Sequence, residues 1–155
     1  MARPWKVVDL ESSENVKPAA VKVLRSMFQQ VRSYEQATLK GNDPEALHNM
    51  RVALRRLRVL MKLFSDCFPK RKLRNQQELL QTMTGLLGSV REHDLLIEEL
   101  RSFRTELKSM DTQAIDLLIA REVIQRKKTQ AKAAREIRKL GRRNYGDAFE
   151  RLLSA

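Results

Sequence analysis

Leu47, Met50, Leu54, Leu57, Met61 and Phe64 recur at intervals of three and four residues. Only the 3.6-residue turn of an α-helix brings such positions onto one face. Ala20, Val23, Met27, Val31 and Tyr34 repeat the period upstream, and Leu73, Leu79, Leu80, Met83, Leu86 and Leu87 supply inward positions downstream. No stretch carries strand signals. The 155 residues contain only five Gly, four Pro and 5% aromatics, and Leu, Ala, Arg, Lys, Gln and Glu are abundant. That composition favours helix, and an apolar content of 42% excludes disorder. The chain reads as all-α, a single domain large enough to bury a core.

Punctuation divides it into about six helices. Residues 1–13 read as a tail that Trp5 can pin to the body, and 14–155 as one helical-bundle domain. A first helix is expected over 17–40, with Pro18 in its first turn. In "GNDPE", Gly41 suits the position after a helix end, Asp43 can cap the next helix and Pro44 suits its first position. Helix two then runs to about Asp66, before Pro69. Gly85 and Gly88 suggest close packing or a bend, giving a third helix over 70–87 and a fourth over 90–108. Asp111 or Thr112 can cap a fifth that reaches about Leu140, and a sixth spans 143–153. Short connections imply antiparallel neighbours.

The net charge of +12 is concentrated. Residues 48–74 hold nine Lys/Arg against one acid (+8), and residues 121–143 hold ten against two (+8). Residues 75–120 hold four against eight (−4). Two focused positive blocks attract polyanions. Cys67 is the single cysteine, so no internal disulfide forms. The N-terminus lacks the apolar run of a signal peptide, and no eighteen apolar residues are contiguous. A cytoplasmic protein off the membrane is the expectation.

On helix two, His48, Arg51, Arg55, Arg58 and Lys62 form one continuous stripe. The apolar Leu47-to-Phe64 stripe borders it on one side, and Val52, Val59 and Leu63 border it on the other. Cations flanked by apolar residues on both sides are expected to line a groove between packed elements. Like charges at helical spacing repel by about 0.2–0.5 kcal/mol per pair. Two sources can offset this: internal acids, with Glu92, Asp94, Glu98 and Glu99 as candidates, or a polyanionic ligand. Residues 47–64 contain no acid, which favours the ligand. Arg121, Lys128, Lys132, Arg135, Lys139 and Arg142 share a sector of helix five, facing either solvent or the same groove.

Motifs for catalysis are lacking. His48 and His93 are the only imidazoles and offer no metal-ligand set with Cys67. Glu92 and Asp94 point to different faces of a helix, and His93 reads as a surface or cap residue. No Gly-rich phosphate loop or nucleophile elbow occurs, and neither basic stripe carries stacking aromatics. No enzyme and no cofactor are expected.

"HNMRVALRRLR" resembles the signature of CHAD domains, the histidine-containing α-helical domains that bind inorganic polyphosphate; His48, Arg51, Val52, Arg55, Arg56, Leu57 and Arg58 match. "LLGSVREHDLL" is similar to a second family segment through Leu87, Gly88, Arg91 and Asp94, with Glu92 and Leu95 as mild departures. "RRNYGDAFERLL" resembles the short helix that closes the family's first half. The resemblance implies two bundles related by a pseudo-twofold axis around a basic groove, of which this chain matches about one half. It therefore implies a homodimer, each copy supplying one bundle. It implies non-catalytic polyphosphate binding by His48, Arg51, Arg55, Arg56, Arg58, Lys62 and Arg91, with Lys128, Arg135 and Arg138 completing the walls. A phosphate-polymer-processing enzyme and a non-specific nucleic-acid-binding protein are the alternatives.

Overall fold

The computed structural model describes residues 5–7, 9–107, 112–142 and 144–155. Five α-helices lie among them: α1 (Val16–Lys40), α2 (Pro44–Leu63), α3 (Lys70–Glu106), α4 (Gln113–Arg142) and α5 (Tyr145–Leu153). A 3-10 turn, Ser65–Cys67, links α2 to α3. No strand occurs among the described residues. The all-α bundle expected from the periodicity is what forms, with one correction in number.

That correction is α3. The third and fourth expected helices are a single helix of 37 residues that passes through both Gly85 and Gly88. A glycine inside a helix costs roughly 0.5–1 kcal/mol relative to alanine. Leu80, Met83, Leu87 and Val90 are fully buried across the two glycines, so the apolar face is unbroken. Burying each such side chain contributes about 1.5–3 kcal/mol, which outweighs the glycine cost. No proline follows Pro69 to interrupt the ladder.

The α1–α2 turn is as the punctuation predicted. Gly41 adopts φ 76°, the left-handed conformation that ends α1. A Cβ there would lie 2.7 Å from Gln130 Cγ, so backbone conformation and space both demand glycine. The Asp43 carboxylate accepts hydrogen bonds from the Glu45 and Ala46 amides at 2.9 and 3.1 Å, capping α2. From α4, Gln130 Nε2 donates to Thr38 O and Arg126 Nη1 to Gly41 O, each at 2.7 Å.

Consecutive helices pack antiparallel: α1 on α2, α2 on α3 and α3 on α4. The core joins Leu24, Met27 and Val31 of α1 to Met50, Leu54, Leu57 and Met61 of α2 and Leu80, Met83 and Leu87 of α3. The short α5 folds back onto α1, where Phe149 stacks on Phe28 with ring centroids 4.1 Å apart. Tyr145 meets Phe28 edge-on at 5.9 Å and donates its hydroxyl to Glu35 Oε2 at 2.7 Å. Of the N-terminal segment, Trp5 shares a shallow concavity with Lys22, Arg25 and Gln29 of α1. The expected cap at Asp111 and the helix start at Arg143 lie outside the described residues, while the alternative cap Thr112 directly precedes α4. Among the described residues, no helix is long and apolar enough to cross a membrane.

Candidate functional site

Antiparallel packing of α2 on α3 sets the geometry of the basic stripe. The apolar face of α2 turns into the core, with Met50, Leu54, Leu57 and Met61 fully buried. The stripe beside it then falls along the seam with α3. Arg55, Arg58, Val59 and Lys62 line an open concavity of about 490 Å³ whose other wall is Gln77 and Gln81 of α3. One turn earlier, Arg51 lies beside Gly88, at which a Cβ would be 3.9 Å from its Nη2. The row therefore runs from Arg51 at Gly88 to Lys62 near Gln77.

The other border of the stripe is uncovered over its C-terminal half, whereas Val52 is half-buried. Val59 and Leu63 are 61% and 70% exposed. The groove expected between packed elements thus has a wall on one side only within this chain. Its cations are also unmatched: among the described residues, Arg51, Arg55, Arg58 and Lys62 make no ion pair with an acid. The Arg51 Nε is buried and without a hydrogen-bond partner. A buried guanidinium nitrogen without an acceptor costs on the order of 1–3 kcal/mol.

The acids proposed as internal partners are engaged elsewhere or solvated. Asp94 accepts from Arg126 of α4 at 2.8 Å, and the two side chains are only 8% and 13% exposed. Glu92, Glu98 and Glu99 are exposed. The ion pair joins α3 to α4 and leaves α2 out, because Asp94 lies beyond the stretch of α3 that α2 covers with its stripe. His93 needs a parallel correction. It is not a cap residue, since α3 runs on past it, and its side chain is partly exposed rather than free at the surface. Its Nδ1 lies 2.8 Å from Glu122 Oε2 and its Nε2 lies 3.2 Å from Thr129 Oγ1, so it bridges α3 to α4.

Placement of the remaining sequence-predicted residues is mixed. His48 is half-buried one turn before Arg51, and Arg56 is half-buried off the groove. Arg91 lines a separate concavity of about 510 Å³ with Pro44, Asp94, Arg101, Arg126 and Lys127. Lys128, Arg135 and Arg138 are exposed on α4, which packs chiefly on α3. Arg135 pairs with Glu136 at 3.4 Å, and Arg138 Nη2 reaches Leu39 O at 3.5 Å. None of the three borders the α2–α3 groove. Gln77 and Gln81, which do, were missed by the sequence reading. Being neutral, they carry no charge signal and do not stand out among the many polar residues of α3. Among the described residues, no group of three or more His, Cys, Asp or Glu side chains could hold a metal ion.

The CHAD-domain family profile matches residues 22–155. This chain belongs to the CHAD-domain family. The family is associated with polyphosphate binding. No curated protein and no solved structure matches the chain. Within this CHAD domain, the signature histidine and arginines sit on α2, and the Leu-Gly-x-x-Arg segment supplies the glycine beside Arg51. The closing "RRNYG" segment leads into α5, where Asn144 at φ 50° turns the chain back toward α1.

Proposed function

We propose that this chain binds inorganic polyphosphate without cleaving it, along the groove between α2 and α3. One observation carries the reading. Arg55, Arg58 and Lys62 line a single concavity with two neutral glutamines and no acid, and Arg51 extends the row with a buried Nε that lacks an acceptor. A polyanion supplies what the row lacks. Guanidinium groups present paired donors that match phosphate oxygens, and cations one helical turn apart can follow a chain of phosphates. His48 extends the row at one end, and Arg91 stands near the start of α2. Lys128, Arg135 and Arg138 then act at a distance, by raising the local positive potential.

Family membership supports this choice of polyanion. The uncovered side of the groove, with Val59 and Leu63 exposed, supports a homodimer in which a second copy supplies the facing wall. A cytoplasmic location follows the same reading, since a lone unpaired cysteine suits a reducing interior.

The test is fluorescence anisotropy with labelled polyphosphate of several chain lengths, followed by electrophoresis of the recovered polymer. Saturable binding that tightens with length, with polymer length retained, is the expected result. Released phosphate that disappears in Arg51→Ala would establish a polyphosphate-processing enzyme. Displacement by DNA at equal phosphate concentration would establish general nucleic-acid binding instead.

A further inference from the structure

Helices α3 and α4 continue together past the turn that joins α1 to α2. Arg126 pairs with Asp94 while donating to the Gly41 carbonyl, so this pair lies level with that turn. Farther out, Arg104 of α3 pairs with Asp116 of α4 through Nη2 and Oδ2 at 3.0 Å. Residues 95–106 and 113–125 therefore form a two-helix arm. It is unusually apolar for an exposed element: Leu95, Leu96, Phe103, Leu117, Leu118 and Ile124 are each 41–68% exposed.

Part of this apolar surface is ordered on one side of the arm, as a stripe on α3 and a single leucine on α4. Steps of three and four from His93 lead to Leu96, Leu100 and Phe103, and a step of four back from Glu122 leads to Leu118. His93 and Glu122 touch, so the α3 stripe and Leu118 of α4 fall on the side of the arm that this pair marks, whereas Leu95, Leu117 and Ile124 lie on other faces. Leu96, Leu100 and Phe103, with Glu99, Ser102 and Glu106, line a concavity of about 500 Å³.

Charge borders this apolar surface with opposite sign on the two helices. Glu92, Glu99 and Glu106 follow one another at intervals of seven along α3, and Arg121, Lys128 and Arg135 do so along α4. All six are exposed. Among the described residues, Glu92, Glu99, Glu106, Arg121 and Lys128 make no ion pair. An apolar seam spaced by three and four, with charged residues every seventh position beside it, is the pattern by which helices select partners.

We propose that the arm is a self-association surface whose occupant is the arm of a second copy. Related by a twofold axis, α3 of one copy lies along α4 of the other. The Leu96–Leu100–Phe103 stripe then meets the partner's Leu118, and the glutamate row meets the partner's Arg121 and Lys128. The opposite arrangement, α3 on α3, sets one glutamate row against another and is disfavoured. The inference rests on the pairing proposed above and assigns that pairing a surface.

Light scattering and sedimentation across a wide concentration range test it, with helix content followed by circular dichroism. The native chain is expected to be dimeric, and Phe103→Glu monomeric with helix content retained. Glu99→Arg and Arg121→Glu should each weaken the dimer several-fold, and the double variant should recover it, since the swap restores both symmetry-related pairs. These two exposed positions keep the test decisive should Phe103→Glu lose helix. A monomeric native chain overturns both the pairing and the arm. A dimer that survives Phe103→Glu, or a double variant no tighter than the single ones, overturns the arm alone. Polyphosphate binding by the monomeric variant reports separately on the groove.

Discussion

The guanidinium of Arg51 stands over Gly88: a Cβ at position 88 would lie 3.9 Å from Arg51 Nη2. The two residues come from separate sequence motifs, and antiparallel packing of α2 on α3 joins them. That distance is ordinary van der Waals contact, so Gly88→Ala should be accommodated. It should raise stability by about 0.5–1 kcal/mol through helix propensity and leave polyphosphate affinity unchanged. Gly88→Leu reaches into the space of the guanidinium and should weaken binding several-fold. Thermal melts and anisotropy titrations of the two variants check this.

Asp94, although part of the second motif, is committed to Arg126 in a nearly buried ion pair. Removing one partner strands the other charge, at a cost of about 3–5 kcal/mol for a buried pair. Asp94→Ala should therefore lower the denaturant midpoint substantially. Its polyphosphate affinity, measured where it is fully folded, should match the native value. A large affinity loss with stability intact would place Asp94 in the site.

The Asp43 carboxylate holds two amides of the first turn of α2, the helix that carries the basic row. Asp43→Ala should cost about 1 kcal/mol, and Asp43→Ser much less. Urea unfolding resolves the difference.

Burial, followed by the hydrogen bond to Glu35, pushes the Tyr145 phenol far above its ordinary range. An unfolded chain releases this proton from about pH 10, whereas the folded chain keeps it. The associated stability is thus complete below about pH 10 and is lost as pH rises further, because ionisation then favours the unfolded state. Tyr145→Phe should lose about 1 kcal/mol at neutral pH. It should also show a shallower decline in melting temperature above pH 10 than the native chain.

Much of this was legible in the sequence, for identifiable reasons. The periods of α1 and α2, the Gly41–Asp43–Pro44 punctuation and the α2 basic stripe are local properties, set within one or two helical turns. The join at Gly85 and Gly88 was not, because local propensity argues for a break and tertiary burial of Leu87 and Val90 overrides it. The partners of Asp94 and His93 were hidden for a related reason. Arg126, Glu122 and Thr129 lie some thirty residues away and are brought near only by the α3–α4 packing. The α4 cations looked equivalent to those of α2 on a helical wheel, and only the order of packing separates them.

The central claim, that the α2 row holds the polymer, is tested most directly by two triple variants that remove equal charge. Polyphosphate affinity and its dependence on salt are compared for Arg55→Ala/Arg58→Ala/Lys62→Ala and for Lys128→Ala/Arg135→Ala/Arg138→Ala. The first is expected to lose most of the affinity and to flatten the salt dependence, with its fold and melting temperature retained. The second should lose only a small, long-range share. Equal losses in the two would show that polyphosphate responds to overall charge alone, and would contradict the α2–α3 groove as its binding site.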